Sequence, residues 1–273
     1  MDCGLFLSQR KYVLDILTEC GMLASRPSPF LMEQHHRLST SSSDLLSDPA
    51  KYIRLIGRLI YLTITRPEII YSIHILAQFM QEPRQDHWDA ALWVLRYLKQ
   101  SPGQGILLRP TSLELEAFCD SDWASCPLTR RSITSYFITL GGCPVSWKTK
   151  KQTTVSCSSA EAEYRAMAAT VSEVIWLRSL LSSLGIQLTT STRLFCDNQA
   201  ALHIAANPVF HERTKHIEID CHFVREHLKS GVVATDYLPT RLQLADIFTK
   251  ALGRDRFRFL LFKLGIRDLH APT

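Results

Sequence analysis

The spacing of apolar residues changes near residue 110, and this change predicts two parts of the chain with different secondary structure. Before it, the stretches KYIRLIGRLIYL and HWDAALWVLRYLKQ repeat apolar residues every three or four positions, which predicts helices. After it, the short β-prone segments LEAFCD and SITSYFITL follow one another between turn residues, which predicts strands. We therefore expect a mainly helical first part and a second part built on a sheet.

The order of elements in the second part predicts the kind of sheet. Three short strand candidates come first, and a long helix follows from about Ala160 to Leu184. The strand TRLFCD, two helices, the strand VVATDYL and a last helix starting near Leu242 complete the order. Strands in series followed by alternating strands and helices predict a mixed sheet with helices on its faces, in the α/β class.

Four acidic residues lie where strands end or helices begin. They are Asp120 after LEAFC, Glu163 in the first turn of the long helix, Asp197 at the end of LFCD, and Asp246 in the semi-apolar segment QLADIFTKAL. Strand ends and helix starts can meet at one edge of such a sheet, where ligand sites often form. Clustered carboxylates repel one another unless divalent cations lie between them, and Mg²⁺ prefers oxygen ligands. Singly, each acid could instead be a cap, a helix-dipole partner or a turn residue.

The net charge and the cysteine content limit the possible binding partners and the cellular compartment only loosely. The net charge of +5 permits a polyanionic partner without requiring one. None of the eight cysteines forms a Cys-x-x-Cys pair, and their apolar surroundings fit a reducing intracellular compartment, the cytoplasm or the nucleus. The N-terminus does not read as a signal peptide, and no apolar stretch reaches the roughly 18 residues of a membrane span. We therefore expect a soluble protein without membrane contact.

Five motifs occur in order along the second part of the chain. They are CDSDWA, TRRSITSYFITLGG, SWKTKKQTTVSCSSAEAEYRAM, CDNQAALHIAANPVFHERTKHIEIDCHFVRE and QLADIFTKAL. Together they resemble the ribonuclease H domain of copia-type (Pseudoviridae) LTR retrotransposon Pol polyproteins. Upstream, GLFLSQRKYVLDIL and YIRLIGRLIYLTITRPEIIYSI resemble the segment between the reverse-transcriptase palm and that domain. The resemblance implies a helical thumb or connection remnant at 1–105, a ribonuclease H-like domain at 112–253, and a C-terminal helix and tail at 254–273.

The resemblance also implies a chemistry for the four acids. It implies a ribonuclease H-like five-stranded mixed sheet and a two-metal endonuclease that uses Mg²⁺, or Mn²⁺ in its place, to hydrolyse the RNA strand of RNA–DNA hybrids. The products would carry 3′-hydroxyl and 5′-phosphate ends. The implied catalytic acids and metal ligands are Asp120 on both ions, Asp246 on the ion that activates water, and Glu163 and Asp197 on the other. Asp122 remains the alternative to Asp120.

What is missing from the chain also bears on its function. The reverse-transcriptase motif Tyr-Val-Asp-Asp and the palm that carries it are absent, so we expect no DNA polymerisation. A palm supplied by another chain is one expected partner, and an RNA–DNA hybrid is the other. Ser125 and Ser135 stand where the family often has Gly, and Cys157 stands where Arg is common. A non-catalytic or inert retrotransposon fragment that at most binds nucleic acid is therefore the alternative function.

Basic residues in two segments are candidates for contacts with a nucleic-acid backbone. They are Lys148, Lys150, Lys151, Arg213, Lys215 and His216. An edge strand protected by lysine would also explain the first three, and a solvated helix face would explain the others. The aromatic residues Trp147 and Trp176 are expected to lie in the core rather than to stack on bases.

Overall fold

The computed structural model describes residues 4–34, 36–207 and 217–268. The strands are β1 (Leu5–Leu7), β2 (Gly105–Leu108), β3 (Leu115–Asp122), β4 (Ile133–Leu140), β5 (Cys143–Lys151), β6 (Thr192–Cys196), β7 (Val233–Tyr237) and β8 (Ile266–Arg267). The helices are α1 (Arg10–Glu19), α2 (Pro49–Leu62), α3 (Ile70–Ala77), α4 (Gln85–Gln100), α5 (Ser159–Ser183), α6 (Gln199–Ala206), α7 (Glu218–Lys229) and α8 (Arg254–Lys263). Short 3-10 helices lie at Leu38–Thr40, Pro67–Ile69, Thr240–Leu242 and Leu244–Phe248.

These elements divide into two compact units. The first unit contains the described residues of 1–108 and 250–273, and the second contains the described residues of 109–249. The C-terminal segment belongs to the first unit because β8 pairs antiparallel with β2, which also pairs with β1. The other strand or α-helix elements of this unit are helices, as their apolar periodicity predicts, while residues 20–34 and 36–48 contain no α-helix. Strands β2 and β8 are too short to be recognised from alternation in the sequence.

A buried ion pair lies inside the first unit. The guanidinium Nε of Arg66 donates to Oε1 of Glu68 at 2.6 Å, and both side chains are fully buried. Arg66 also donates to the carbonyl oxygen of Ser101, and the Gln104 amide donates to the same Glu68 oxygen at 2.8 Å. The pair therefore ties the start of the 3-10 helix at 67–69 to the end of α4.

The second unit contains the predicted five-stranded mixed sheet, in the order β5-β4-β3-β6-β7. Strand β3 is antiparallel to β4, and β4 is antiparallel to β5. Strand β3 is parallel to β6, and β6 is parallel to β7. This combination follows from the connections: the loop 123–132 and the turn 141–142 join β3, β4 and β5 without a helix, and helices join the parallel strands. The predicted α/β class is confirmed.

The two faces of this sheet are covered by different elements. Alternate β3 residues, including Ala117 and Cys119, are buried in the same cluster as Met167 and Val171 of α5. The opposite face carries a row of phenylalanines, in which Phe137 stacks on Phe248 with ring centroids 5.7 Å apart. The long helix therefore covers one face, and the 3-10 helix Leu244–Phe248 covers part of the other.

Three local predictions were wrong. Strand β3 does not end at Asp120, the last residue of the predicted segment LEAFCD, but continues to Asp122, because its pairing with β4 runs as far as Ile133. The expected last helix near Leu242 consists of two 3-10 helices, because the backbone is extended at Gln243 between them. Trp176 lies on the outer side of α5 with 56% of its surface exposed, rather than in the core.

Candidate metal centre

Carboxylates from three separate elements converge at one edge of the five-stranded sheet. Oxygen atoms of Asp120, Asp197 and Asp246 lie within 4.8 Å of one another. Asp120 and Asp246 are buried, with 2% and 0% of their surfaces exposed, and Asp197 is half-buried. Buried carboxylates at this separation repel strongly because little water screens them. The arrangement therefore favours a bound cation.

The register of two parallel strands explains why Asp120 and Asp197 meet. Phe118 of β3 pairs with Phe195 of β6. Asp120 follows Phe118 by two residues, and Asp197 follows Phe195 by two residues. Side chains two residues apart along a strand point to the same face. The parallel pairing therefore brings both carboxylates to the same level at the carboxyl ends of the strands, where a ligand site is expected.

Glu163 joins this cluster from helix α5, where it lies in the second turn rather than the predicted first. One of its oxygens lies within 4.8 Å of an Asp197 oxygen and of Sγ of Cys196. The backbone N–H of Ser121 donates to Oε1 of Glu163 at 3.1 Å. Burial raises the pKa of Glu163 well above its ordinary range, and Asp120, Cys196 and Asp197 raise it further. Glu163 therefore holds a proton readily when no cation is bound.

Buried hydroxyl groups hold the segment that carries Asp246 against the sheet. The Ser135 hydroxyl of β4 donates to the carbonyl oxygen of Ala245 at 2.9 Å. The Thr249 hydroxyl donates to the Asp120 carboxylate and lies 3.3 Å from the carbonyl oxygen of Asp246. Both hydroxyl-bearing residues have 0% of their surfaces exposed. The position of Asp246 is therefore fixed from both sides.

Three residues at this site were not predicted: Gln243, Thr249 and the hydroxyl role of Ser135. Gln243 is completely buried, and its amide donates to backbone carbonyl oxygens of β3 and β6. The sequence feature that could have pointed to Gln243 and Thr249 is the occurrence of polar residues on both sides of Asp246 in an otherwise apolar stretch. Buried polar groups need hydrogen-bond partners, but the sequence does not identify those partners.

The chemistry of the donor set fits a hard divalent cation. Asp120, Asp197 and Asp246 offer only carboxylate oxygens, which Mg²⁺ prefers. Cys196, which lies beside Glu163 and Asp197, is an exception among the potential ligands, since a sulfur ligand suits softer metals. Its thiol interacts with that of Cys119, and this interaction, followed by burial, raises the pKa of Cys119. The carboxylates, rather than the thiol, are therefore the groups suited to Mg²⁺.

The predicted nucleic-acid contacts are only partly within the described residues. Lys148, Lys150 and Lys151 lie on β5, the edge strand of the sheet next to β4. They line a cleft on the surface of the second unit. The other three predicted residues, Arg213, Lys215 and His216, lie outside the described residues. Within the described ranges, no helix has an apolar stretch long enough to cross a bilayer.

Comparisons with known proteins give several related sequences, while no family model matches the chain. The chain is 44% identical over 264 residues to a retrovirus-related Pol polyprotein from transposon RE1 of Arabidopsis thaliana, with 96% of the chain covered. It is 32% identical over 271 residues to the corresponding polyprotein from transposon TNT 1-94 of Nicotiana tabacum, with 97% covered. The chain spans only 18% and 20% of the lengths of these two polyproteins.

Shorter relatives and solved structures also match. An uncharacterized mitochondrial protein of Arabidopsis thaliana, AtMg00810, is 44% identical over 176 residues, which are 63% of this chain and 72% of that protein. The N-terminal RNase H domain of Rv2228c from Mycobacterium tuberculosis is 11% identical, with a TM-score of 0.37 over 55% of this chain and 98% of that one. LC11-RNase H1, solved with an RNA/DNA hybrid, is 10% identical, with a TM-score of 0.34 over 48% and 88%.

Proposed function

This chain belongs to the copia-type retrovirus-related Pol polyproteins, and we propose that its second unit is a Mg²⁺-dependent endonuclease that hydrolyses the RNA strand of RNA–DNA hybrids. The observation that carries the proposal is the convergence of Asp120, Asp197 and Asp246 within 4.8 Å at the strand ends. Carboxylates at this position in a sheet are suited to metal-assisted hydrolysis of a phosphodiester. The products would be a 3′-hydroxyl and a 5′-phosphate.

Each acid has a proposed part in holding the ions. Two Mg²⁺ ions, or Mn²⁺ in their place, supply an activated water and stabilise the leaving oxygen when they are bound. Asp120, Asp197 and Asp246 would hold them, because their oxygens already converge. Glu163 would give up its proton when a cation arrives, since its pKa is raised by burial and by the neighbouring anions Asp120 and Asp197, whose repulsion a cation would offset. The Thr249 hydroxyl orients the Asp120 carboxylate.

Recognition of the substrate is proposed to depend on shape and charge rather than on sequence. Lysines on β5 supply positive charge for a phosphate backbone, which carries no sequence information. The RNA strand is the one cut because its 2′-hydroxyl groups distinguish it from DNA. We therefore expect similar cleavage rates for hybrids that differ in base composition.

The first unit is proposed to be the helical connection that precedes the ribonuclease H part in these polyproteins. Within the described residues of this unit, no cluster of potential metal ligands occurs that resembles the one in the second unit. We therefore propose that it contributes no chemistry of its own. A reverse-transcriptase palm is the partner that we propose for this unit.

A cleavage assay with the purified 273-residue chain tests the proposed function. The substrates are an end-labelled RNA–DNA hybrid, single-stranded RNA, double-stranded RNA and double-stranded DNA of one sequence. We expect cleavage of the hybrid RNA alone, in the presence of Mg²⁺ or Mn²⁺, with loss of activity after chelation. A folded, monomeric sample that binds the hybrid without cleaving it would identify a binding module. A folded sample that neither binds nor cleaves would identify an inert fragment.

A further inference from the structure

Helix α5 and strand β6 bring a thiol and two carboxylates together at the edge of the five-stranded sheet. One oxygen of Glu163, one oxygen of Asp197 and the sulfur of Cys196 all lie within 4.8 Å of one another. The group of Asp120, Asp197 and Asp246 differs from this one, because its potential ligand atoms are all oxygens. The two groups share Asp197. Within the described residues, this edge of the sheet therefore offers two sets of potential ligands with different chemistry.

The spacing of the thiol and the Glu163 carboxylate is close to that of two ligands on one ion. The thiol of Cys196 donates to Oε2 of Glu163, and the sulfur and the oxygen lie 3.9 Å apart. Zinc bonds of about 2.3 Å to sulfur and about 2.1 Å to oxygen, at a tetrahedral angle, place the two ligand atoms about 3.6 Å apart. A movement of about 0.3 Å, the difference between these two separations, would therefore let both atoms bind one ion.

The surroundings of the sulfur suit a metal ligand. Cys196 is the last residue of β6 and is completely buried, so its side chain has little freedom. The backbone N–H of Asn198 donates to the sulfur at 3.4 Å. Such a donor stabilises the negative charge that a thiol carries after it binds a metal and releases its proton to solvent. Asp197 is half-buried, so the group has a side that solvent and a cation can reach.

The sulfur determines which kind of cation this group prefers. Mg²⁺ takes oxygen ligands, whereas thiolate ligands favour softer cations such as Zn²⁺ and its heavier congener Cd²⁺. We propose that Glu163, Cys196 and Asp197 bind one softer divalent cation, with Zn²⁺ as the natural one, and that this ion excludes Mg²⁺ because it occupies two carboxylates of the Mg²⁺ centre. The exclusion rests on the proposed function, since it assumes that these carboxylates serve Mg²⁺. Hydrolysis of the hybrid would then be inhibited by Zn²⁺.

Cys119 provides a matched control for Cys196. Both cysteines are completely buried in the same apolar cluster, and each directly precedes a converging carboxylate, Asp120 or Asp197. Among the described residues, Cys119 does not belong to the group of potential ligands that contains Cys196. Replacing either thiol by Ser makes the same change in volume and polarity. A difference in metal binding between the two variants therefore reports on ligation by Cys196.

Addition of Cd²⁺ to the metal-free 273-residue chain tests the site without an activity measurement. A bond between sulfur and Cd²⁺ gives an ultraviolet charge-transfer absorption that carboxylate ligands do not give, and the remaining thiols contribute a background common to all variants. We expect Cys196→Ser to lose the absorption of one such bond, and Cys119→Ser to retain it. In the wild type, excess Mg²⁺ should raise the Cd²⁺ concentration at which this absorption appears, because the two cations share carboxylates.

Cleavage of an RNA–DNA hybrid in saturating Mg²⁺ gives a second measurement. The Zn²⁺ concentration that halves each protein's own rate should rise at least about tenfold in Cys196→Ser and stay within about twofold of wild type in Cys119→Ser. Melting curves without metal establish that each variant is folded, and Cys196→Ala with Cys119→Ala replaces the pair if a serine variant unfolds.

The outcomes separate this site from the proposed nuclease. Loss of the absorption in both variants, or in neither, would overturn Cys196 as a ligand, and cleavage by the wild type would then leave the nuclease intact. Cd²⁺ binding that excess Mg²⁺ does not weaken would overturn the exclusion of Mg²⁺. An absorption lost in Cys196→Ser alone, from a wild type that cannot cleave, would retain the cation site and reject the nuclease.

Discussion

The side-chain amide nitrogen of Gln243 lies 3.0 Å from the carbonyl oxygen of Cys119, the residue immediately before Asp120. The same nitrogen lies 3.4 Å from the carbonyl oxygen of Phe195, two residues before Asp197. Gln243 itself comes three residues before Asp246. One buried amide thus connects the three parts of the chain that carry the converging carboxylates. Its oxygen also accepts from the backbone N–H of Ala245 at 3.3 Å.

Replacing Gln243 by Leu should therefore disturb both stability and the cluster. The substitution preserves much of the volume but removes this donor from the carbonyl oxygens of Cys119, which is buried, and Phe195, which is partly buried, and this costs about 1–3 kcal/mol. We expect a lower free energy of unfolding in urea and weaker stabilisation by Mg²⁺. The control is Gln187→Leu, because Gln187 is exposed and its amide contacts only the nearby Ser182 hydroxyl. Equal stability of the two variants would contradict the connecting role.

The raised pKa of Glu163 predicts how stability depends on pH without metal. Between the unfolded pKa of about 4.3 and the raised folded pKa, the native state binds a proton that the unfolded state has lost. Stability should therefore fall as pH rises through this window. Glu163→Gln should remove that fall and raise the melting temperature at neutral pH, by about 2–4 °C for each kcal/mol recovered.

Mg²⁺ should reduce this difference in stability between the two proteins. The cation binds the ionised carboxylates of the folded protein, so it should raise the melting temperature of the wild type more than that of Glu163→Gln. Melting curves from pH 4 to pH 8, with chelator or with Mg²⁺, check both statements. A wild type whose metal-free stability rises over this range would contradict the pKa assignment.

Ser135 offers a test of whether departures from the family pattern reflect decay. It does not adopt the positive φ that would demand Gly, and its hydroxyl supports the Asp246 segment. Ser135→Gly should destabilise the protein by about 1–2 kcal/mol, because a buried hydrogen bond is lost and backbone freedom increases. Urea unfolding measures the change. A more stable Gly variant would instead indicate that Ser135 is a damaging substitution.

The buried ion pair in the first unit gives a prediction independent of catalysis. Arg66→Met leaves Glu68 buried without its cation and should destabilise the first unit by about 3–5 kcal/mol. The double variant Arg66→Met with Glu68→Leu should recover much of that loss, because no charge then remains buried. Denaturation followed by tryptophan fluorescence, with Trp123, Trp147 and Trp176 of the second unit replaced by Phe in every variant, reports on Trp88 and Trp93 of the first unit. A single variant as stable as the double would contradict this account.

The sequence predicted the parts of the site that local patterns determine. The boundaries expected for α5, near Ala160 and Leu184, agree with the observed Ser159–Ser183, because a long apolar repeat and a terminal Gly define them. The convergence of the carboxylates followed from the general behaviour of strand ends in α/β sheets. Both inferences depend on spacing along the chain rather than on individual contacts.

Other features required the tertiary structure. The extent of β3 depends on how far β4 accompanies it, which residues 115–122 do not encode alone. The exposure of Trp176 depends on which side of α5 meets the sheet, and α5 has apolar residues around much of its circumference. The bonds from Gln243 span 124 residues to Cys119 and 48 to Phe195, so no local pattern could reveal them.

The most direct test of the central claim compares the cleavage rates of Asp120→Asn and Asp122→Asn on an RNA–DNA hybrid with Mg²⁺. Both residues lie on β3, but of the two only Asp120 belongs to the cluster of carboxylates found among the described residues. We predict that Asp120→Asn loses at least about a thousandfold in rate, or roughly 4 kcal/mol of transition-state stabilisation, while Asp122→Asn stays within about tenfold of wild type. Equal rates for the two folded variants, or a greater loss in Asp122→Asn, would contradict the account.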